Sequence, residues 1–251
     1  MRRGTTSRRL FARRTALVTG GARRLGLAIA RELAREGAAV VFTFNSTPRA
    51  EVRKVSAELL EAGAAEVRAH RCNLADPEEL RKLVGKLRRE PIDYLVNSAA
   101  NFLREDFFDA TLESWSETMS VNLRAPFFLS QAVAEGMKKN GFGRIVNIAD
   151  VAGVIPWKSH LAYSISKAGL IAMTRGLAKA LAPEILVNAV SPGPVLLPES
   201  FGATESRNAV EPTLLKRAGA PEEVAAAVTF LLQSDYITGI TLPVDGGRLL
   251  R

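Results

Sequence analysis

Two kinds of hydrophobic pattern alternate along the chain. Short runs of consecutive apolar residues predict buried β-strands, and longer stretches with apolar residues three or four positions apart predict amphipathic helices. The runs predict strands at 15–19, 39–44, 66–71, 94–97, 144–148, 185–190 and 240–244. The periodic stretches predict helices after Gly21 through Glu36, at about 48–62, from Asp76 onward, at about 112–140 with a bend near Pro126, and at about 160–181 and 221–232.

This alternation predicts an α/β fold in which helices cover both faces of a parallel sheet, which is a doubly wound arrangement. The pattern does not change between residues 15 and 251, so a single domain is expected there, preceded by a basic tail at 1–14. In such sheets ligands bind beyond the carboxyl ends of the strands. The loops that follow strands are therefore the places where a site is expected.

The composition limits the classes of function. The 251 residues are 47% hydrophobic, which is ordinary for a globular protein with a sizeable core. No apolar run approaches the roughly 20 residues of a membrane span, so no membrane association is expected. Cys72 is the single cysteine, which excludes an intrachain disulfide and favours a reducing, cytoplasmic location. No metal site is expected.

The net charge of +8 is concentrated near the N-terminus. Six arginines lie between residues 2 and 14, and no acidic residue precedes Glu32. A basic arm for nucleic acid and an arginine-rich transit peptide are two interpretations of this segment. We favour a mobile, solvated tail, because the long amphipathic stretch of a transit peptide is missing. Since the charge sits in this tail, no nucleic-acid partner is expected.

Tyr163 and Lys167 carry the first candidate chemistry. They lie four residues apart in a predicted helix, and residues at this spacing share one helix face. A free phenol has a pKa of about 10, and a nearby cation favours its ionised form. The pair predicts a general acid or base at Tyr163, although the same spacing also occurs by chance beside surface lysines.

A glycine-containing loop joins the first predicted strand to the first helix. It reads Thr19-Gly20-Gly21-Ala22-Arg23-Arg24-Leu25-Gly26. Glycines in such a loop let the backbone approach a pyrophosphate, and the helix N-terminus supplies N–H donors. The loop indicates a dinucleotide site, with an ordinary glycine turn as the alternative.

These residues resemble the motifs of the short-chain dehydrogenases/reductases. The loop is similar to that family's Thr-Gly-x-x-x-Gly-x-Gly, with Arg24 at the middle glycine, and Tyr163 and Lys167 match its catalytic pair. Asn122 matches its helix asparagine. Asn97 matches the first residue of its Asn-Asn-Ala-Gly stretch, from which the next positions depart at Ser98 and Ala100.

The resemblance extends to the C-terminal part of the chain. Ser191-Pro192-Gly193 and Val244-Asp245-Gly246-Gly247 match two further signatures of the family. The motifs occur in the expected order and cover roughly residues 15–247. The resemblance therefore implies a Rossmann-like fold.

The resemblance also implies hydride transfer between a nicotinamide dinucleotide and a carbonyl or imine carbon. In that family the tyrosine is the general acid or base, the lysine holds the nicotinamide ribose and lowers the tyrosine pKa, and the asparagine anchors a water in a proton relay. These roles fall to Tyr163, Lys167 and Asn122. The residues expected at the cofactor are Gly20, Arg23, Arg24, Leu25, Gly26, Asn45, Ser46, Thr47, Asn73, Leu74, Asn97, Ser98, Ala99, Tyr163, Lys167, Pro192, Gly193 and Val195.

Three positions resemble the pteridine reductases in particular. The loop of those enzymes reads Thr-Gly-x-x-(Lys/Arg)-Arg-x-Gly, as it does here at Arg24. Asp150 stands thirteen residues before Tyr163, where the usual family pattern has serine. Phe102 follows the Asn97 turn, and in pteridine reductases a phenylalanine stacks on the pterin. The substrate residues expected are Arg24, Phe102, Asp150, Tyr163 and Trp157, with Asp150 also catalytic. An alternative for Phe102 is a pocket wall for another substrate, and for Asp150 a solvated turn residue.

The end of the second strand indicates which dinucleotide is bound. Enzymes of this fold that use NAD usually place an acid there to hold the ribose hydroxyls. This chain has residues 45–47, Asn-Ser-Thr, and no acid before Glu51. Arg23 and Arg24 add positive charge that suits a 2′-phosphate. NADP(H) is therefore the expected cofactor.

The leading interpretation is an NADPH-dependent reductase of a pterin-like substrate such as a dihydropterin or dihydrofolate. A reductase for a ketone or a 3-oxoacyl thioester is the alternative within the family. A non-catalytic dinucleotide sensor is less favoured, because such sensors commonly lose the tyrosine and lysine.

The resemblance has two further implications. Residues 194–215 form the substrate lid, and the chain forms a homotetramer. Trp157 is expected on a loop facing the pocket, as a substrate wall or an oligomer contact.

Overall fold

The computed structural model describes residues 9–197 and 201–251 and contains one seven-stranded sheet. Neighbouring strands all pair in parallel, in the order β3-β2-β1-β4-β5-β6-β7. Strands β1 to β7 cover Thr15–Val18, Ala39–Phe44, Val67–Arg71, Tyr94–Asn97, Gly143–Ile148, Ile185–Pro192 and Thr241–Val244. The predicted parallel sheet in an α/β fold is confirmed.

Helices cover both faces of the sheet. In the described residues α1 to α8 cover Arg24–Arg35, Arg49–Ala62, Pro77–Leu87, Leu112–Met119, Ala125–Lys139, Leu161–Leu181, Ala203–Val210 and Pro221–Gln233. One buried core includes Ile29 of α1, Leu59 of α2 and Val228 of α8. The other includes Leu83 of α3 and Leu129 of α5. None of the helices within the described ranges is long and apolar enough to cross a membrane.

The two cores explain why the central strand β1 is apolar on both faces. Successive side chains of a strand point to opposite faces of the sheet. In β1, Ala16 and Val18 lie in the first core and Leu17 in the second. Because helices cover both faces, every position of the strand has to be apolar.

The strand order places a crevice next to β1. Strands β2 and β4 lie on either side of β1, so the chain leaves β1 towards one side of the sheet and β4 towards the other. A crevice opens at the carboxyl ends where the order reverses in this way. The loops after β1, β4, β5 and β6 border this crevice, and they hold most of the predicted site residues.

The helical stretch at 112–140 differs from the prediction of one helix bent near Pro126. It consists of α4 and α5 joined by a π-helical turn at Ser120–Arg124. Pro126 lies in the first turn of α5, where its missing N–H leaves no hydrogen bond unmade. The irregularity therefore lies before the proline and contains Asn122.

Residues 9–14 pack against the domain. The side chain of Phe11 is 1% exposed and belongs to the first core. Arg14 forms an ion pair with Asp93 at 2.7 Å. The expected solvated tail is therefore wrong for residues 9–14, because an apolar side chain anchors the basic segment. Residues 1–8 of that tail lie outside the described residues.

Candidate active site

The loop between β1 and α1 is a tight backbone cradle. Gly20 has a φ of 67°, and a Cβ atom there would lie 3.1 Å from the Cα of Ala99. A Cβ atom on Gly26 would lie 2.3 Å from the carbonyl oxygen of Gly20. The hydroxyl of Thr43 on β2 accepts a hydrogen bond from the N–H of Gly20 at 3.1 Å. The glycines and Thr43 thus keep the N-terminus of α1 accessible to a phosphate group.

Arg24 occupies this loop in a conformation that favours glycine. Its φ is 52°, and the left-handed region costs a non-glycine residue roughly 1–2 kcal/mol. The guanidinium donates a hydrogen bond to the carbonyl oxygen of Leu196, which joins the loop to the segment after β6. The neighbouring Arg23 is exposed. The backbone at Arg24 therefore has the conformation expected of the middle glycine in the family's loop, and the loop carries the two cations Arg23 and Arg24.

The residues expected at the adenosine end lie at the ends of β2 and β3. Residues 45–47 follow β2 directly and are exposed or partly exposed. The side-chain oxygen of Asn73 accepts a hydrogen bond from the N–H of Ala75 at 3.1 Å. Leu74 is 6% exposed and belongs to the second core. Residues 45–47 are therefore available to a ligand, whereas the side-chain oxygen of Asn73 already accepts a hydrogen bond within its own turn.

Thr19 joins the end of β1 to the turn after β4. Its hydroxyl accepts hydrogen bonds from the N–H groups of Ser98 and Ala99, both at 2.9 Å. The amide of Asn97 donates to the side-chain oxygen of Asn147 at 2.8 Å. The Asn97 side chain is buried, so it supports the turn through other protein groups.

The segment after β6 closes another side of the crevice. Pro192 ends β6, and the N–H of Gly193 donates to the carbonyl of Val244 at 3.0 Å. Gly193 and Val195 both line the cavity described below. Leu25 of α1, another residue expected at the cofactor, is partly buried and packs against the first core.

Tyr163, Asp150 and Lys167 meet at the end of β5. The Tyr163 hydroxyl donates to Oδ2 of Asp150 at 2.9 Å, and Oδ1 of Asp150 accepts from the N–H of Ala152 at 2.8 Å. Nζ of Lys167 donates to the carbonyl of Ile148 at 2.7 Å and lies 5.6 Å from the centre of the Tyr163 ring. The carboxylate is thus held in place against the phenol.

The electrostatics of this group differ from the expectation. Burial raises the pKa of Tyr163 well above its ordinary value, and the charge and hydrogen bond of Asp150 raise it further. Burial also raises the pKa of Asp150, against the opposing effects of the Ala152 N–H and the Lys167 charge. Burial lowers the pKa of Lys167 to about 8. The expected lowering of the Tyr163 pKa by Lys167 is therefore not found here, because burial and Asp150 favour the neutral phenol.

Asn122 connects the π-helical turn to two other parts of the site. Its side-chain oxygen accepts from the N–H of Asn101 at 3.0 Å. Its amide donates to the Asn101 carbonyl and to Oγ of Ser166, each at 3.1 Å. Because Ser166 precedes Lys167 in α6, Asn122 fixes the loop after β4 against the catalytic helix. Its role in a proton relay stays a prediction.

A cavity of ≈ 430 Å³ opens beside Asp150 and Tyr163. All the residues expected at the substrate line it, namely Arg24, Phe102, Asp150, Trp157 and Tyr163. Glu205 of α7 also lines it, and α7 lies within the expected lid at 194–215. Residues 198–200 of that lid lie outside the described residues.

Phe102 stands at the centre of an aromatic cluster in this cavity. Its ring stacks on His160 with centroids 4.2 Å apart and an interplanar angle of 20°. It meets Tyr163 edge-to-face at 4.8 Å and Trp157 at 6.1 Å. Phe102 remains 40% exposed, so part of its ring is available to a planar ligand.

The cavity wall also includes His160, Arg104 and Arg248, which no motif in the sequence indicated. His160 lies three residues before Tyr163 in the sequence and immediately precedes α6. Arg248 follows the last strand, and only the fold brings it to the cavity.

Comparison with known proteins defines the family. The family model described as "Enoyl-(Acyl carrier protein) reductase" matches residues 20–248. The 3-oxoacyl-(acyl-carrier-protein) reductase FabG of Aquifex aeolicus is 37% identical over 241 residues, which are 93% of this chain and 96% of that protein. The chain therefore belongs to the short-chain dehydrogenase/reductase family.

Two similar solved structures carry a named cofactor. A blue fluorescent protein from a metagenomic library, in complex with NADPH, is 36% identical with a TM-score of 0.86, covering 94% of this chain and 98% of that one. FolM alternative dihydrofolate reductase 1 from Brucella canis, complexed with NADP, is 31% identical with a TM-score of 0.88. That match covers 97% of this chain and 96% of the FolM chain.

Proposed function

We propose that the chain is an NADPH-dependent reductase that delivers hydride to a flat, nitrogen-containing ring such as a dihydropterin or dihydrofolate. The observation that carries this proposal is the hydrogen bond between the Tyr163 hydroxyl and the Asp150 carboxylate at 2.9 Å. It places a carboxyl group where the usual family pattern has a serine hydroxyl. A carboxyl group suits the protonation of a ring nitrogen better than the polarisation of a simple ketone.

The residues present fit a nicotinamide dinucleotide phosphate. A Cβ atom at Gly26 would lie 2.3 Å from the Gly20 carbonyl, so the cradle requires glycine and leaves its surface to a ligand. Arg23 and residues 45–47 would hold the adenosine part, because a cation suits a 2′-phosphate and no acid opposes it. The Arg24 guanidinium instead reaches the Leu196 carbonyl and the cavity. The two solved relatives with NADPH and NADP support the same choice.

The catalytic roles follow from the contacts. NADPH supplies the hydride when bound. When Asp150 is protonated, its carboxyl donates to Tyr163 Oη, so that Tyr163 gives its own proton to the substrate and receives the Asp150 proton in exchange. Lys167, fixed by the Ile148 carbonyl at 2.7 Å, would hold the nicotinamide ribose. Asn122 would support the proton relay by fixing the loop against α6.

Phe102 supports a planar substrate. Its ring is backed by His160 at 4.2 Å and meets Tyr163 at 4.8 Å. An aromatic ligand stacked on the exposed part of Phe102 would therefore lie close to the proton donor. Such aromatic contacts contribute roughly 0.5–1.5 kcal/mol beyond the buried area.

The second candidate is reduction of a 3-oxoacyl thioester. The 37% identity with the Aquifex aeolicus reductase over nearly the whole chain favours it, and the named relatives support this candidate more strongly than the first. On this interpretation Asp150 is a local variant of the family's serine. The hydroxyl of Tyr163 would then protonate the ketone oxygen directly.

Steady-state assays separate the two candidates. NADPH oxidation is followed with dihydrobiopterin, dihydrofolate and acetoacetyl-coenzyme A, using wild type and Asp150→Ser. The first candidate predicts turnover of the pterins and a strong loss in Asp150→Ser. Turnover of acetoacetyl-coenzyme A alone, improved by Asp150→Ser, would establish the second candidate instead.

We also propose a homotetramer with a cytoplasmic location. A groove of ≈ 760 Å³ on the α4–α6 side is lined by apolar residues that include Trp115, Phe127 and Phe128. The two phenylalanines are 44% and 41% exposed, and exposed apolar patches of this kind mark contacts with other chains. Light scattering of the purified protein tests the assembly. The location rests on Cys72, which is a free, buried thiol.

A further inference from the structure

The cavity carries more positive than negative side chains. Arg24, Arg104 and Arg248 line it, and the acidic residues in its wall are Asp150 and Glu205. Burial raises the pKa of Asp150, so its carboxyl is charged less often than that of a free aspartate at the same pH. Burial lowers the pKa of His160, and the charge of Arg104 lowers it further. The cavity is therefore an environment that favours an anionic ligand.

Backbone and side-chain contacts position Arg248 at the wall of this cavity. The carboxylate of Asp245 accepts from the N–H groups of Gly247 at 2.9 Å and Leu249 at 2.8 Å, which fixes the last turn. The guanidinium donates to the carbonyl of Ala209 at 2.6 Å and lies 5.6 Å from the centre of the Trp157 ring.

The donors of Arg248 are mostly available. A guanidinium has five N–H donors in a fixed fork. Among the residues that the structure describes, no carboxylate oxygen lies within 4.0 Å of it, while other arginines such as Arg217 have one. The side chain is thus placed to form a two-point contact with a ligand carboxylate or phosphate.

Arg104 has an internal partner that a ligand can replace. It pairs with Glu205 of α7 at 3.0 Å, and the two side chains are 68% and 44% exposed. Exposed ion pairs of this kind are weak. A ligand anion that enters the cavity would compete with Glu205 for Arg104.

We propose that Arg104 and Arg248 recognise an anionic group, a carboxylate or a phosphate, on a part of the substrate away from the reacting atom. This inference rests on the proposed function in that it concerns the same cavity. It adds that the enzyme prefers charged members of its substrate class to neutral ones. A dihydrofolate, with its glutamate carboxylates, would be preferred to dihydrobiopterin, and a coenzyme A thioester to a neutral thioester.

The test compares kcat/KM within two matched pairs at low and high salt. One pair is dihydrofolate and dihydrobiopterin, and the other is acetoacetyl-coenzyme A and acetoacetyl-N-acetylcysteamine. The expected result is a preference for the anionic member of at least one pair that decreases with salt, because ions screen exposed charges. Turnover of the thioesters but not of the pterins, with the anionic thioester preferred, would refute the pterin function and keep this inference. Equal turnover of the two pterins, together with no preference within the thioester pair, would refute this inference and keep the pterin function.

Variants assign the preference to the two arginines. Arg248→Gln and Arg104→Gln are each expected to lower kcat/KM for the anionic substrate by about tenfold, as for a charge-assisted contact, with little change for the neutral one. Glu205→Gln is expected to raise kcat/KM for the anionic substrate, since it frees Arg104 while its amide oxygen still accepts from the Gly202 N–H. Arg251→Gln is the control, because Arg251 contacts the Glu211 carbonyl and does not line the cavity.

Three results would overturn the proposal. The first is no preference for an anion in either pair, whether from equal turnover or from no turnover. The second is a preference that survives in both arginine variants. The third is an effect of Arg251→Gln as large as that of Arg248→Gln.

Discussion

The hydroxyl of Tyr163 donates a hydrogen bond to the carboxylate of Asp150 at 2.9 Å, and both groups lie beside one cavity. Burial raises the pKa of each group, and the charge of Asp150 raises that of Tyr163 further. The two groups therefore hold their protons more tightly than isolated side chains do. The raised pKa of Asp150 keeps its carboxyl protonated to a higher pH than a free aspartate, so it has a proton to supply during a reduction.

Removal of the Tyr163 hydroxyl tests the proton donor. Tyr163→Phe is expected to lower kcat by about 10²–10⁴, the usual contribution of positioned proton transfer. The dissociation constant for NADPH, measured by fluorescence titration, is expected to stay close to wild type, because only the hydroxyl is lost. Tyr236→Phe is the matched control, since Tyr236 is fully exposed. A near-normal kcat in Tyr163→Phe would show that another group donates the proton.

Asp150 is expected to reduce stability at neutral pH. Its pKa is raised in the folded state, so folding favours the protonated carboxyl. The stability that the folded state gains from a protonated Asp150 is fully present below the unfolded-state pKa. It is lost as the pH rises through the folded-state pKa. Asp150→Asn is expected to increase the free energy of unfolding at pH 7 by on the order of 1 kcal/mol. The gain is expected to shrink towards pH 4, as measured by urea denaturation. An equal gain at both pH values would contradict the link to ionisation.

The same carboxyl predicts the pH dependence of turnover. The protonated fraction of Asp150 increases as the pH falls, so reduction of a pterin is expected to be faster at mildly acidic pH. In Asp150→Ser this dependence is expected to disappear along with most of the activity. A pH–kcat profile from pH 5 to pH 8 checks it. An unchanged profile in the variant would assign the dependence to another residue.

Arg24 is expected to select NADPH. Arg24→Gly removes the charge and relieves the backbone at φ 52°, and Arg24→Gln removes the charge alone. Both are expected to weaken NADPH by about tenfold and NADH less, because the positive charge that is lost acts on the additional negative charge of the 2′-phosphate. Dissociation constants for both dinucleotides test this. Equal weakening of the two would indicate a general disturbance of the loop.

Phe102 is expected to act mainly in substrate binding. Phe102→Ala should raise KM for a pterin by about tenfold with a smaller change in kcat, since stacking contributes similarly before and during the reaction. Phe108→Ala is the control, because Phe108 is 95% exposed and does not line the cavity. A loss confined to kcat would contradict the proposed binding role.

The segment before β1 is expected to stabilise the domain. Phe11 is buried and lies edge-to-face on Tyr94 with centroids 5.0 Å apart. Phe11→Ala is expected to lower the free energy of unfolding by about 3–5 kcal/mol, the usual cost of removing a buried aromatic ring. Leu10→Ala is the matched control, since Leu10 is 53% exposed. Similar effects of the two substitutions would mean that the segment is not anchored through Phe11.

The sequence by itself determined the fold class and the central pair of the site. Buried strands and amphipathic helices follow from local patterns, since a strand covered on both faces has to be apolar throughout. Tyr163 and Lys167 share a helix face because their spacing is set by the helix. Arg24 has a positive φ, as expected at the position where the family's loop has a glycine. These features depend on residues close together in the chain.

The tertiary structure decided what depends on burial and on distant parts of the chain. Spacing predicted that Lys167 lowers the pKa of Tyr163, but burial and Asp150 raise it. The stacking of His160 on Phe102 and the arrival of Arg248 at the cavity join segments from different loops. Phe11 was assigned to a solvated tail because neighbouring charges dominate its local pattern. Each of these depends on which groups the fold removes from water and brings into contact, and local sequence does not encode that.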